Sequence, residues 1–259
     1  MSNKRMWEIK QQTDHPDMLE LYIYGDVQGD RVSFWTGEVT ESKTSAEHFK
    51  NELAQHGDVK QIDIYINSYG GSVFEGTAIY SQLKRHPAHK TVYVDGFACS
   101  IASVIAMAGD EIIMPRNAMM MIHNMWMYCE GNSAELRKAA DDLDKINEAG
   151  REAYLQRAGD KLTADKLREM QDAETWLNAE ECIAYGLADR YADKEADMSG
   201  AAEVVQKITT NVQQRIKYHQ SIAAQLRQLT AMQGSAEKPE APKPEPNKKP
   251  CLMDFLAGL

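Results

Sequence analysis

The 259 residues carry 29 basic and 39 acidic side chains, a formal charge of −10, and 43% of them are apolar. A chain of this length and apolar content buries a core and is globular in the main, while its acidic balance speaks against nucleic acid partners, which need a concentrated basic face. Met1 to Lys10 is polar and no run of about 18 apolar residues occurs, so neither a signal peptide nor a membrane span is expected and the location expected is cytoplasmic. The four cysteines, Cys99, Cys129, Cys182 and Cys251, form no CxxC pair and have no His at ligand spacing. They read as free thiols, with no zinc site.

In chain order, residues 1–17 form an N-terminal arm. Leu19 to Tyr24 (LELYIY) is rich in strand formers and ends at Gly25-Asp26, and Val32 to Trp35 supplies a second short strand. Thr44-Ser45-Ala46-Glu47 resembles a capping box opening a helix that Gly57 closes. Gln61 to Ile66 is an alternating strand, Val73 to His86 a helix ended by Pro87, and Thr91 to Val94 a strand. Strand, helix, strand at this spacing implies right-handed crossovers in a largely parallel sheet, so the fold class is α/β. Ile101 to Ala108 then reads as an apolar helix, Glu111 to Met114 and Met119 to Ile122 as short strands, and Ser133 to Ala158 as a long charged helix with apolar positions Leu136, Ala140, Leu143, Ile146 and Tyr154. A capped helix begins at Asn178, with Glu181 three residues on, and stops at Gly186. The main domain is expected over 18–195. It is followed by a polar helix over 196–233, a Pro, Glu and Lys tract over 234–250 with almost nothing to bury, and an apolar tip over 251–259.

Three segments carry candidate chemistry. Asn67-Ser68-Tyr69-Gly70-Gly71-Ser72 lies between a strand and a helix, where paired glycines permit positive φ and present bare N–H groups to a substrate. The alternative is an ordinary tight turn, and the absence of a following GKS or GKT argues against a phosphate loop. Gly96 to Ser103 (GFACSIAS) joins a strand to an apolar helix. A serine there has its hydroxyl at the mouth of the sheet and the helix's first N–H groups beside it. Ser100 is thus either a nucleophile or a helix cap. Ser103 reads as a small packing residue, and Cys99 is a thiol of the right type pointing elsewhere. Met119 to Asn124 (MMMIHN) delivers His123 at a strand end, one helix and one strand after Ser100, so the chain can return the imidazole to the hydroxyl. His15, His48, His56, His86, His89 and His219 lie in less telling settings.

Together and in this order, the segments resemble the ClpP family of serine peptidases over about Asp63 to Asp193. INSYGGSV is similar to the family's INSPGG loop, GFACSIAS to its GxAxSxG nucleophile turn, MPRNAMMMIHN to its LPNxxxMIHQ strand, and WLNAEECIAYGLADR at Trp176 to Arg190 to its FxSAxEAxxYGLxD ending. The resemblance implies a crotonase-like spiral of β-α-β units that assembles into a homo-oligomeric ring, with Ser133 to Ala158 as the handle helix between stacked rings. It also implies Ser100 as nucleophile, His123 as base, the Gly71 and Ile101 N–H groups as oxyanion hole, and Gly70 and Ser72 at the substrate. No cofactor is implied. Tyr69 replaces the loop proline, and Ile101 and Ala102 replace the Met-Gly after the nucleophile, none of which removes a backbone donor. For the third member of the triad, alignment favours Glu174 with Asp172 as runner-up; a structural role such as pairing with Arg168 is the third option. The extensions make the chain most similar to the ClpP-like head maturation proteases of tailed bacteriophages and prophages. That likeness implies capsid or scaffold substrates and the host cytoplasm. Other partners open to the family are an AAA+ unfoldase and peptide substrates. The rival readings are a crotonase-type acyl-CoA enzyme, a Ser-Lys peptidase, and an inactive structural or scaffold ring.

Overall fold

The computed structural model describes residues 7–11, 14–33 and 35–196, together with seven residues between 210 and 224. The chain divides into two compact units, 1–209 and 210–259. In the second, the seven described residues, Thr210 to Ala224, are helical and exposed. Most of the expected polar helix, the whole Pro, Glu and Lys tract and the apolar tip lie outside the described residues.

The first unit is a mixed α/β fold around one sheet, ordered β1-β2-β5-β6-β7-β10. Its centre is β2 (Met18–Val27), β5 (Gln61–Gly71) and β6 (His89–Cys99), all parallel, linked by α1 (Ala46–Gln55) and α2 (Val73–Arg85). β2 and β5 alternate, β6 is buried along most of its length, and the inward set Leu19, Leu21, Ile23, Ile62, Ile64, Ile66, Val92 and Val94 is fully buried with Ile79 and Leu83 of α2. Full burial of each such side chain is worth about 1.5–3 kcal/mol, which holds the register against a slip that would turn every one outward. The outward set includes Tyr22, Tyr65 and Tyr93, in register across the three strands, with ring centroids 4.9 and 5.0 Å apart and nearly parallel planes.

Several boundaries differ from the sequence expectation for identifiable reasons. Trp7–Gln11 forms β1, antiparallel to β2, so part of the N-terminal arm belongs to the sheet. The strand expected over Val32 to Trp35 is only Arg31–Val32 (β3), paired with Val39–Thr40 (β4), and Trp35 sits in the intervening turn, 90% exposed. The cap of α1 is Ser45 rather than Thr44: its hydroxyl accepts from the His48 N–H, and Glu75 of α2 accepts from the Ala46 N–H. Thr44 instead ties to Gln28 in both directions.

The far edge of β6 is shared between two strands. Thr91 to Tyr93 pairs with β7 (Glu111–Met114), and Phe97 to Cys99 pairs with β8 (Met119–Ile122). The short α3 (Ile101–Ala106) lies between, wholly buried. The long α4 (Ser133–Ala158) has a complete capping box at Asn132 and Glu135; its buried residues, Asn147, Ala153, Tyr154 and Ala158, all lie in its second half, while Leu136 is exposed. It leads to α5 (Ala164–Asp172), β9 (Thr175–Asn178), α6 (Ala179–Ala184), capped at Asn178 as expected, and β10 (Arg190–Tyr191).

Candidate active site

Parallel pairing of β6 with β8 sets Phe97 against Met119, Ala98 against Met120 and Cys99 against Met121. The Ser100 N–H continues that ladder to the Met121 carbonyl at 2.8 Å. The chain then turns sharply: Ser100 has φ 55° and ψ −130°, a region nearly confined to glycine, and α3 starts on the next residue. Its side chain forms no cap bond with α3. The hydroxyl lies instead 2.8 Å from Nε2 of His123, the residue that follows β8. Of the two roles open to Ser100 in sequence, the geometry favours the hydroxyl-imidazole pair over the helix cap.

The glycine loop abuts this pair. A Cβ added at Gly70, which has φ 103°, would lie 2.7 Å from the Ser100 Cβ and 2.8 Å from the Cys99 carbonyl oxygen. One at Gly71, with φ 148°, would overlap the Val27 carbonyl. Side chains preceding the glycines hold the loop in place. The buried Ser68 hydroxyl donates to the Gly25 carbonyl at 2.5 Å and accepts from the Gly70 N–H at 3.1 Å, and the Asn67 carboxamide accepts from the Phe97 N–H. Ser72, expected at the substrate, spends its groups on the fold: its N–H donates to Val27, its carbonyl accepts from Gly76, and its hydroxyl caps α2. Ile101, whose N–H opens α3, follows Ser100 directly.

The two candidate acids part company here. Antiparallel β9 pairs Met121 with Trp176 and Ile122 with Thr175, so the next step along that ladder runs from His123 to Glu174. Glu174 has φ 49°, the other non-glycine residue with positive φ among those described. Asp172, at the end of α5, accepts from the Asn124 side chain at 2.6 Å. Cys99 is fully buried and its burial pushes the thiol up to about 12, which removes it as a nucleophile. Among the described residues no cluster of three or more His, Cys, Asp or Glu side chains has the arrangement of a metal site, and no helix is long and apolar enough to cross a membrane.

The Clp protease family model matches residues 17–195, more than half of the chain. The chain belongs to the Clp protease family. Relatives include ATP-dependent Clp protease proteolytic subunit 3 of Rhodococcus jostii, 28% identical over 184 residues, covering 68% of this chain and 90% of the relative. A proteolytic subunit of Deinococcus radiodurans is 28% identical over 186 residues, covering 70% and 89%, and one of Pleurastrum terricola is 32% identical over 143 residues, covering 54% and 71%. Membership of the Clp protease family puts the chain among the serine peptidases, with the α/β fold expected from its sequence.

Within this Clp protease fold, α4 contributes contacts that the sequence did not reveal. Asn147 accepts from the Met125 N–H at 2.7 Å, and Arg151 donates to Gln171 of α5 at 2.9 Å and toward Asn124, so the segment leaving His123 is tied down from α4. Ser103, read as a packing residue, hydrogen-bonds both the Ser100 carbonyl and Tyr154 of α4. A serine among small apolar neighbours carries no local mark of such partners, because one of them is on a distant element.

Proposed function

We propose that this chain is a serine endopeptidase working through an acyl-enzyme on Ser100, and the observation that carries the reading is the 2.8 Å contact between Ser100 Oγ and His123 Nε2. Ser100 Oγ attacks the scissile carbonyl carbon as its proton passes to His123 Nε2. The carbonyl oxygen takes up the negative charge facing the N–H groups of Gly71 and Ile101, with Gly70 alongside the substrate backbone. Collapse of the tetrahedral species breaks the C–N bond, and His123 returns the proton to the leaving amine. Water, deprotonated by the same imidazole, then releases the acyl group. Glu174 orients the imidazole and stabilises its cationic form, a role supported by the β8–β9 register.

The working form is a homo-oligomeric ring. A parallel sheet ordinarily has both faces covered, yet the Tyr22, Tyr65 and Tyr93 face is only half-buried in one chain, and Trp126, Met127 and Tyr128 beyond His123 are exposed together with the first half of α4. These features support assembly through the sheet face and the handle. An AAA+ unfoldase would be the partner of a housekeeping form. We further propose a phage-type role, cleaving capsid or scaffold proteins. The support is the extension beyond residue 195, where the family match ends and a Pro, Glu and Lys tract leads to an apolar tip.

The test is intact mass after treatment with a fluorophosphonate. The wild-type chain gains one adduct and Ser100→Ala gains none; an adduct on the variant rejects the assignment. Cleavage of a folded capsid or scaffold protein without ATP would favour the phage-type role, and strict dependence on an added ATPase would oppose it.

A further inference from the structure

Ser100 holds a strained backbone, and its carbonyl is fixed by two bonds from one residue: the Ser103 N–H at 3.0 Å and the Ser103 hydroxyl at 2.6 Å. Ser103 is fully buried, and its Oγ is also 2.6 Å from the hydroxyl of Tyr154, itself 2% exposed. The proton directions follow from elementary chemistry. A carbonyl oxygen only accepts, so the single Ser103 hydroxyl proton goes to Ser100, and Tyr154 must donate to Ser103. The result is a one-way chain, from Tyr154 O–H to Ser103 O–H to the Ser100 carbonyl.

That carbonyl belongs to the same planar peptide unit as the N–H of Ile101. Fixing the oxygen fixes the direction of the N–H, which lies in the same plane on the opposite side of the C–N bond. Hydrogen bonds received at the oxygen also draw electron density from the nitrogen, and successive bonds in a chain reinforce one another. The N–H so strengthened is one of the two oxyanion donors in the proposed mechanism.

We infer that Tyr154 and Ser103 are positioning residues, a buried hydroxyl relay from α4 that aims and polarises the Ile101 N–H for the oxyanion. The inference rests on the acyl-enzyme reading given above. It assigns α4 a double task. Tyr154 sets the donor beside the nucleophile, while Asn147 and Arg151, two turns and one turn earlier on the same helix, hold the backbone and side chain just after the base. Tyrosine is required for its hydroxyl and not for its ring alone, a distinction that phenylalanine tests with little change of volume.

The experiment compares full-length wild type, Tyr154→Phe, Ser103→Ala and the double variant by peptide kcat and KM, by fluorophosphonate acylation rate, and by affinity for a peptide boronate, which mimics the tetrahedral species. Removing an oxyanion donor outright costs about 10²–10³ in rate, so misaiming one should lower kcat and acylation about tenfold in each single variant. Because the relay acts in the transition state, KM should stay within about twofold while boronate affinity falls by the same factor as kcat. The double variant should be no worse than Ser103→Ala, since one chain is cut once. Ser103→Ala leaves the Tyr154 hydroxyl buried without its acceptor, and the double variant removes that orphan. A double variant that regains melting temperature but not kcat separates aiming from folding. Wild-type kcat in both single variants, losses that multiply in the double, or a rise in KM alone would overturn the relay. If wild type acquires no adduct at Ser100, it is the underlying reading that fails.

Discussion

Cys99 and Met121 are register partners on adjacent parallel strands, and the hydroxyl-imidazole pair grows from the residues that follow them. Ser100 extends the ladder by its N–H to Met121, and His123 enters two residues later from the same strand end. Side chains on a strand alternate in direction, so a slip of one residue would turn the imidazole to the opposite face. Ala98, Met120 and Ile122 pack in the main core and Phe97, Cys99 and Met121 in a second cluster on the other face, so the register that secures the site is held from both sides.

His123→Ala is predicted to fold normally and to lose about 10⁴-fold or more in kcat, because the proposed mechanism gives the serine proton no other acceptor. Peptide turnover measures it. Turnover within tenfold of wild type would instead point to a lysine or water as base.

Glu174 and Asp172 separate cleanly by substitution. Glu174→Gln keeps the shape but not the charge proposed to stabilise the imidazolium, and kcat should fall about 10²–10⁴-fold. Asp172→Asn should change kcat less than about threefold, since its side chain engages Asn124 and an exposed polar contact of this kind contributes little. The reverse ranking would make Asp172 the orienting acid.

Gly70→Ala places a methyl group against the Ser100 Cβ and the Cys99 carbonyl at a φ of 103°. Strain of this kind costs about 1–3 kcal/mol in stability, and displacement of Ser100 should cut acylation about 100-fold. Fluorophosphonate rates and thermal melts report the two effects separately. Unaltered acylation would show that the loop can withdraw without disturbing the serine.

Much of this arrangement was legible in sequence, and the rest divides along a physical line. The bounds of α4 were readable because its apolar periodicity is local. β1 and β9 were not: Trp7–Gln11 and Thr175–Asn178 are strands because β2 and β8 lie beside them. The Gly-Gly pair, Ser100 and His123 were visible as residue types at strand ends. Their convergence depends on the pairing of β6 with β8, which is tertiary. Ser103 and Tyr154 were both noted, one as packing and one as part of an apolar stripe, and only their meeting across 51 positions shows that each has a hydroxyl role.

One further prediction concerns the corner where β6 begins. The Lys90 ammonium is nearly buried, 3.0 Å from Asp110, and donates to the His86 and Ala88 carbonyls. Burial alone would raise the Asp110 carboxyl, but hydrogen bonds from the Lys90 N–H and ammonium, with the attraction of that charge, outweigh it and hold the carboxyl below its ordinary 3.8. A carboxyl lowered in the folded state stabilises the fold above its unfolded value, and the contribution disappears as pH falls through the lower folded value. Breaking a buried pair costs about 3–5 kcal/mol, and because Asp110 is 40% exposed the screened figure is about 1–2 kcal/mol. Asp110→Asn, which still offers an oxygen to the Lys90 N–H, should therefore lower the urea midpoint at pH 7. The gap from wild type should narrow as pH is stepped down from about 4. A gap that stays constant through that range would mean that the carboxylate charge is not what secures Lys90.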